Sequence, residues 1–270
     1  MSTTAAAILA HLKTVDAERA KRAAVSGLNE RVIGVKAYQQ RRFSHSYADL
    51  LGSARYGPAS RFFLDELYGP SDFTRRDAQF ARVVPALVRL FPSEIVDTVA
   101  TLAELHALSE TLDTVMGTQI ADALITGIDY IGAWQRTDRS PQRQRQIDLT
   151  LEVASRLDRF TRRPLLRNTL RLMRTPARAA GLAELQRFLE AGFDTFRKMN
   201  GAQEFVANVD HRERALASEL FSAAVSDPSS GSVVGPAEFI QAQGVTTTAD
   251  AATDGAAVSG PTPSPLSAQA

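Results

Sequence analysis

The chain has 270 residues, 44% of them apolar, and 31 Lys and Arg against 30 Asp and Glu leave a formal net charge of +1. That apolar share is enough for a substantial core in one large domain or two small ones. With no cysteine at all, a disulfide framework and a cysteine-ligated metal site are both excluded.

The brief apolar run at 5–10 has no basic leader and is followed at once by His11, Lys13, Asp16 and Glu18, which is not the pattern of a secretory signal. No run approaches the roughly 20 apolar residues that a membrane helix needs, so no transmembrane segment is expected and the chain reads as soluble and cytoplasmic. Helical periodicity dominates from about residue 4 to 222, and strand-like alternation never persists. The expectation is an all-α, bundle-like domain of eight to ten helices over residues 1–225, with no sheet.

Ile8, Leu9, Leu12 and Val15 mark a first amphipathic helix, Val32, Val35 and Tyr38 a second, and Tyr47, Leu50 and Leu51 a short third. Residues 59–91 carry the densest local signals. Phe62, Phe63, Leu67 and Tyr68 form one broad apolar face, which Gly69 and Pro70 then stop. Asp72 is placed to cap the next helix. There Phe73, Phe80, Val84, Leu87 and Phe91 make one stripe with Asp77 on it, and Pro85 should bend the rod.

After Pro92, Ser93 is placed to cap a long helix in which Ile95, Val99 and Leu102 form a line. Extended at helical spacing, that line reaches His106, Glu110 and Asp113. Leu105, Leu108, Leu112 and Val115 make a second stripe, so this helix should be covered on more than one side. The tight link favours an antiparallel hairpin. Asp77 lies fifteen positions before Pro92 and His106 fourteen after it, which predicts that the two face each other. Arg75 or Arg76, and Glu110 or Asp113, would complete the cluster.

A buried acid and imidazole have a plain reading, a satisfied network that fixes helix register, because polar groups in a core are costly unless paired. The functional readings are a ligand, haem or metal site or a general base, since neutral imidazole is a good ligand and a carboxylate orients it. A di-iron bundle would need paired Glu-x-x-His motifs, and the chain has none. His11, His45 and His211 stand singly in polar surroundings. No HExxH pair, phosphate-cradling Gly-rich loop or G-x-S-x-G elbow is present, so no catalytic residue, metal ligand set or cofactor is assigned.

Further helices are expected near 119–136, 141–162, 164–175, 179–199 and 202–222, three of them headed by turn chemistry at Ser140-Pro141, Arg163-Pro164 and Asn200-Gly201. Between Arg136 and Arg178 twelve Arg face four acidic residues, a local +8 in a chain of +1. Arg167, Arg171 and Arg174 recur opposite Leu166, Leu170 and Met173, and such a row either is a solvated face with intramolecular pairs or can engage phosphates, anionic lipid or an acidic protein surface. Phe160 is the single aromatic in that region, and no nucleic-acid-binding signature appears. From Ser226 onward the chain is rich in Ser, Thr, Gly, Ala and Pro without Lys or Arg, and 226–270 is expected to be disordered, with residues 236–243 able to dock as a short helix.

The run FFLDELYGPSDFTRRD, followed by RVVPALVRLFP and LHALSETLD, resembles an uncharacterised, mainly proteobacterial all-helical family known as a domain of unknown function. The resemblance covers approximately 28–222 and excludes the tail. It implies a cytoplasmic bacterial helical protein and assigns no chemistry to any residue. Three functions follow in order: a non-enzymatic protein-interaction or regulatory module with an acidic partner, a haem- or metal-dependent enzyme centred on His106, and nucleic-acid binding through the 136–178 region. Oligomeric state is not legible.

Overall fold

A computed structural model of the chain describes residues 3–66, 69, 71–225 and 233–234. Among them are twelve α-helices: α1 (Thr3–Ala24), α2 (Leu28–Ser46), α3 (Ala48–Gly52), α4 (Gly57–Glu66), α5 (Thr74–Leu90), α6 (Ser93–Thr118), α7 (Gly127–Thr137), α8 (Ser140–Thr161), α9 (Pro164–Leu172), α10 (Arg174–Ala179), α11 (Ala183–Lys198) and α12 (Gln203–Ser222). The fold is all-α. Ten helices have nine residues or more, and α3 and α10 are pieces of five and six. The sole extended pairing among the described residues is a two-residue antiparallel ladder, Ala224 with Val234 and Val225 with Val233. The disorder expected for 226–270, and docking by 236–243, otherwise fall outside the described residues, as do Tyr68 and Pro70 of the expected helix stop.

Local chemistry explains where several helices begin and end. Asp72 accepts the Thr74 backbone N–H at 2.9 Å, but the N-cap position of α5 itself falls to Phe73, which has no side-chain cap. Ser93 instead occupies the first position of α6 and caps nothing with its side chain. The helix expected from 119 starts only at Gly127, because Thr126 and Asp129 form a reciprocal capping box. The single helix expected over 164–175 is two, α9 and α10. The Leu172 carbonyl would require a donor at position 176, which is a proline, and the helix breaks there. Asn200 and Gly201 both take left-handed conformations, φ 51° and 112°, turning α11 into α12.

Helix α6 is the centre, with buried side chains from Val96 to Met116 on several sides. Ala5, Ile8 and Leu12 of α1 pack with Val96 and Ala103, and Arg22 reaches Thr114, so α1 runs alongside α6 in the same direction. Helix α2 runs the opposite way, with Val32 against Gly117 and Lys36 against Glu110. A Cβ at Gly117 would stand 2.5 Å from Val32 Cγ2, and one at Gly34 would stand 2.2 Å from the Ala123 carbonyl oxygen, so both glycines permit close backbone approach. Helix α8 also opposes α6, its Gln146 meeting Ser109 and its Arg143 meeting Met116.

Helices α5 and α6 are consecutive but touch only sparsely, because α5 lies mainly on α1 and α11. The expected hairpin is therefore splayed. Its interior is held by a small apolar cluster of Ala5, Ile8, Leu12, Val84, Val96 and Ala103. A second core centres on Tyr130, Met116 and Leu220, and a third on Tyr47, Phe196 and Phe205.

Candidate functional site

Across the splay, Asp77 from the first turn of α5 meets His106 of α6, with Oδ2 and Nε2 2.9 Å apart. Arg19 of α1 donates to the same carboxylate oxygen at 2.6 Å. Arg76 lies 3.6 Å from Oδ1, donates to the Glu66 carbonyl at 2.8 Å, and is sandwiched between the Phe73 and Phe188 rings at 4.0 and 4.6 Å from their centroids. Arg75 turns away to Glu184 on the surface. Burial alone would raise the Asp77 carboxyl, but the hydrogen bond and charge of His106, with Arg19 and Arg76, hold it below its ordinary value.

One turn further along α6 a second cluster begins. Glu110 is buried between Lys36 of α2, at 2.5 Å, and Arg22 of α1, at 2.6 Å. The Arg22 contact at Oε2 is an ion pair without hydrogen-bond alignment, while the same guanidinium donates well to Thr114 Oγ1 and the Glu110 carbonyl. Burial pushes the Glu110 carboxyl up, but Lys36 and Arg22 outweigh it and hold the group at about 2. Asp113 accepts from Gln39 at 3.1 Å and lies 4.0 Å from Lys36. There burial prevails and the carboxyl is raised.

The structure thus places Asp77, His106 and Arg76 in one cluster and Glu110 and Asp113 in a neighbouring one, where a single network was expected. The cations that complete both were missed in the sequence. Arg19 and Arg22 continue the apolar stripe of Ile8, Leu12 and Val15 at steps of four and three, and Gln39 follows Val35 by four. A cation on an apolar stripe is the signal that was available.

Where α5 parts from α6, a cavity of about 130 Å³ opens beside His106. Its walls are largely apolar, contributed mainly by α5, α6 and α11 with Leu12 of α1, and Asp77, His106, Arg76, Ser109 and Thr150 supply its polar groups. The volume lies below the roughly 300–1,000 Å³ of pockets that hold drug-sized ligands. The Nε2 of His106 is bonded to Asp77, and among the described residues no three His, Cys, Asp or Glu side chains converge to hold an ion.

The expected arginine row is also different. Arg167 pairs with Asp194 at 3.1 Å and Arg174 with Glu190 at 2.7 Å, both on α11, and the break at Met173 puts Arg174 on the next helix. Arg171 is exposed and makes no ion pair among the described residues. Elsewhere in the 136–178 region Arg145, Arg156, Arg162 and Arg163 pair with Glu104, Glu152, Asp158 and Glu94. Four carboxylates from outside the region, Glu94, Glu104, Glu190 and Asp194, thus offset about half of the local excess of +8.

Fold and clusters define an all-helical domain with internally paired buried charges, and among the described residues no helix is long and apolar enough to cross a membrane. The chain belongs to the family described as Domain of unknown function (DUF8198), whose model matches residues 18–227. The match ends beside the composition change at Ser226. No curated protein and no solved structure matches the chain.

Proposed function

We propose that residues 1–225 form one non-enzymatic protein-interaction or regulatory module of a bacterial cytoplasm, and that an acidic protein partner docks on α9 and α10. The observation carrying this reading is that α9 has no side chain described as buried, although its sequence is strongly amphipathic. Leu165 and Leu172, seven residues apart on one stripe, are 79% and 78% exposed, and Met173 is 46% exposed. Arg171 of α9 and Arg178 of α10 are exposed and make no ion pairs among the described residues. Exposed apolar groups and exposed arginines on the same two helices suit a partner that offers apolar side chains within an acidic surface. The commitment of the buried ionisable groups to one another supports a structural role for them over a catalytic one. Phe160 as the single aromatic of the arginine region leaves no stacking platform, which disfavours nucleic acid.

The test uses the full chain and a Leu165→Glu/Leu172→Glu variant as baits at low and high salt. Both leucines are exposed, so the melting temperature should be unchanged. The wild type should retain an acidic protein in a salt-sensitive manner, and the variant should lose it. Retention of nothing, of nucleic acid instead, or of the same proteins by both baits would contradict the proposal.

A further inference from the structure

We infer that the cavity between α5, α6 and α11 is a binding site for a small, uncharged, largely apolar molecule of about benzene's size that carries one hydrogen-bond acceptor. This inference stands apart from the proposed docking face, which lies on other helices. Size comes first. About 130 Å³ is close to the engineered 150 Å³ apolar cavity that stays dry and binds benzene, so a single ring or a compact branched hydrocarbon fills it.

Polarity follows from the lining. Phe80, Leu87, Val99, Leu102, Phe188 and Leu189 supply most of the wall, and a molecule with a polar perimeter would lose its hydration against them without replacement. Leu189 is 40% exposed, which places the mouth between α5 and α11 and gives a route in from solvent.

Charge is settled by the polar side. Asp77 is answered by Arg19 and His106, and Arg76 by the Glu66 carbonyl, Asp77 and two aromatic faces. Each charged group there already has a protein partner, so an ionised ligand would have to displace one of them to find its counter-charge. One donor remains. Ser109 Oγ accepts from Gln146 at 2.8 Å, and its own O–H donates to no protein acceptor among the described residues. A ligand oxygen placed beside Ser109 would receive that proton while the ring rests on the leucine and phenylalanine walls.

The experiment measures the melting temperature of the full chain with benzene, phenol and benzoate at matched concentrations, with ligand-observed NMR as a second readout. Phenol should raise the melting temperature most, benzene less, and benzoate not at all. Leu102→Phe, which fills the cavity, should abolish both shifts, and Ser109→Ala should lower the phenol shift to that of benzene. Should Leu102→Phe fail to fold, Val83→Phe on the half-buried outer wall takes its place. No shift with phenol or benzene, a benzoate shift equal to that of phenol, or an undiminished phenol shift in the cavity-filled variant or in Ser109→Ala would overturn the inference.

Discussion

Asp77 and His106, 29 positions apart in the chain, are joined at 2.9 Å across two helices that otherwise scarcely touch. The pair is therefore a bridge over an opening, and Arg19 closes it from α1. Removing the carboxylate leaves a guanidinium and an imidazole facing apolar walls. Asp77→Ala should destabilise by roughly 2–4 kcal/mol, measured by urea denaturation at neutral pH. A change within about 0.5 kcal/mol would show that the bridge carries no load.

The two acids of the neighbouring cluster should respond oppositely to neutralisation. Glu110→Gln strands Arg22 and Lys36 in the interior and should cost about 3–5 kcal/mol. Asp113→Asn removes a charge that burial already disfavours and keeps an acceptor for Gln39, so its effect should stay within about 1 kcal/mol. Denaturation curves of the two variants side by side decide the matter, and equal losses would contradict the assignment.

The same pair fixes a pH dependence. The Glu110 carboxyl sits at about 2 in the fold against an ordinary 4.5, so its stabilisation is complete above 4.5 and is lost as the pH falls towards 2. Asp77, also depressed, has the same sign. Asp113, raised by burial, acts the other way and is relieved by acidification. Stability followed from pH 6 to 2 should fall in the wild type, less steeply in Glu110→Gln, and more steeply in Asp113→Asn, which lacks the compensating group.

Much of the site could be read from spacing. Counting outward from Pro92 placed Asp77 level with His106, and the stripe of α6 pointed to Glu110 and Asp113. The splay could not be read, because it depends on α1, remote in sequence, lying against both α5 and α6. Arg19 and Arg22 were passed over although they extend a visible apolar line. Intramolecular pairing of Arg167 and Arg174 was one of the readings open from sequence, but their partners, Asp194 and Glu190, lie on another helix and spacing does not name them. Two local signals were present and unused: Pro176, which divides α9 from α10, and the Thr126–Asp129 box, which delays α7. Sequence spacing reports which residues share a face, while the neighbour that covers the face is set by tertiary packing.

The account depends most on the acid and imidazole being energetically joined rather than merely adjacent. A double-mutant cycle of Asp77→Ala, His106→Ala and the double variant, read by urea denaturation, measures that directly. The predicted outcome is a coupling of about 0.5–3 kcal/mol, with the double variant less destabilised than the sum of the singles. Additivity within about 0.3–0.5 kcal/mol would contradict it.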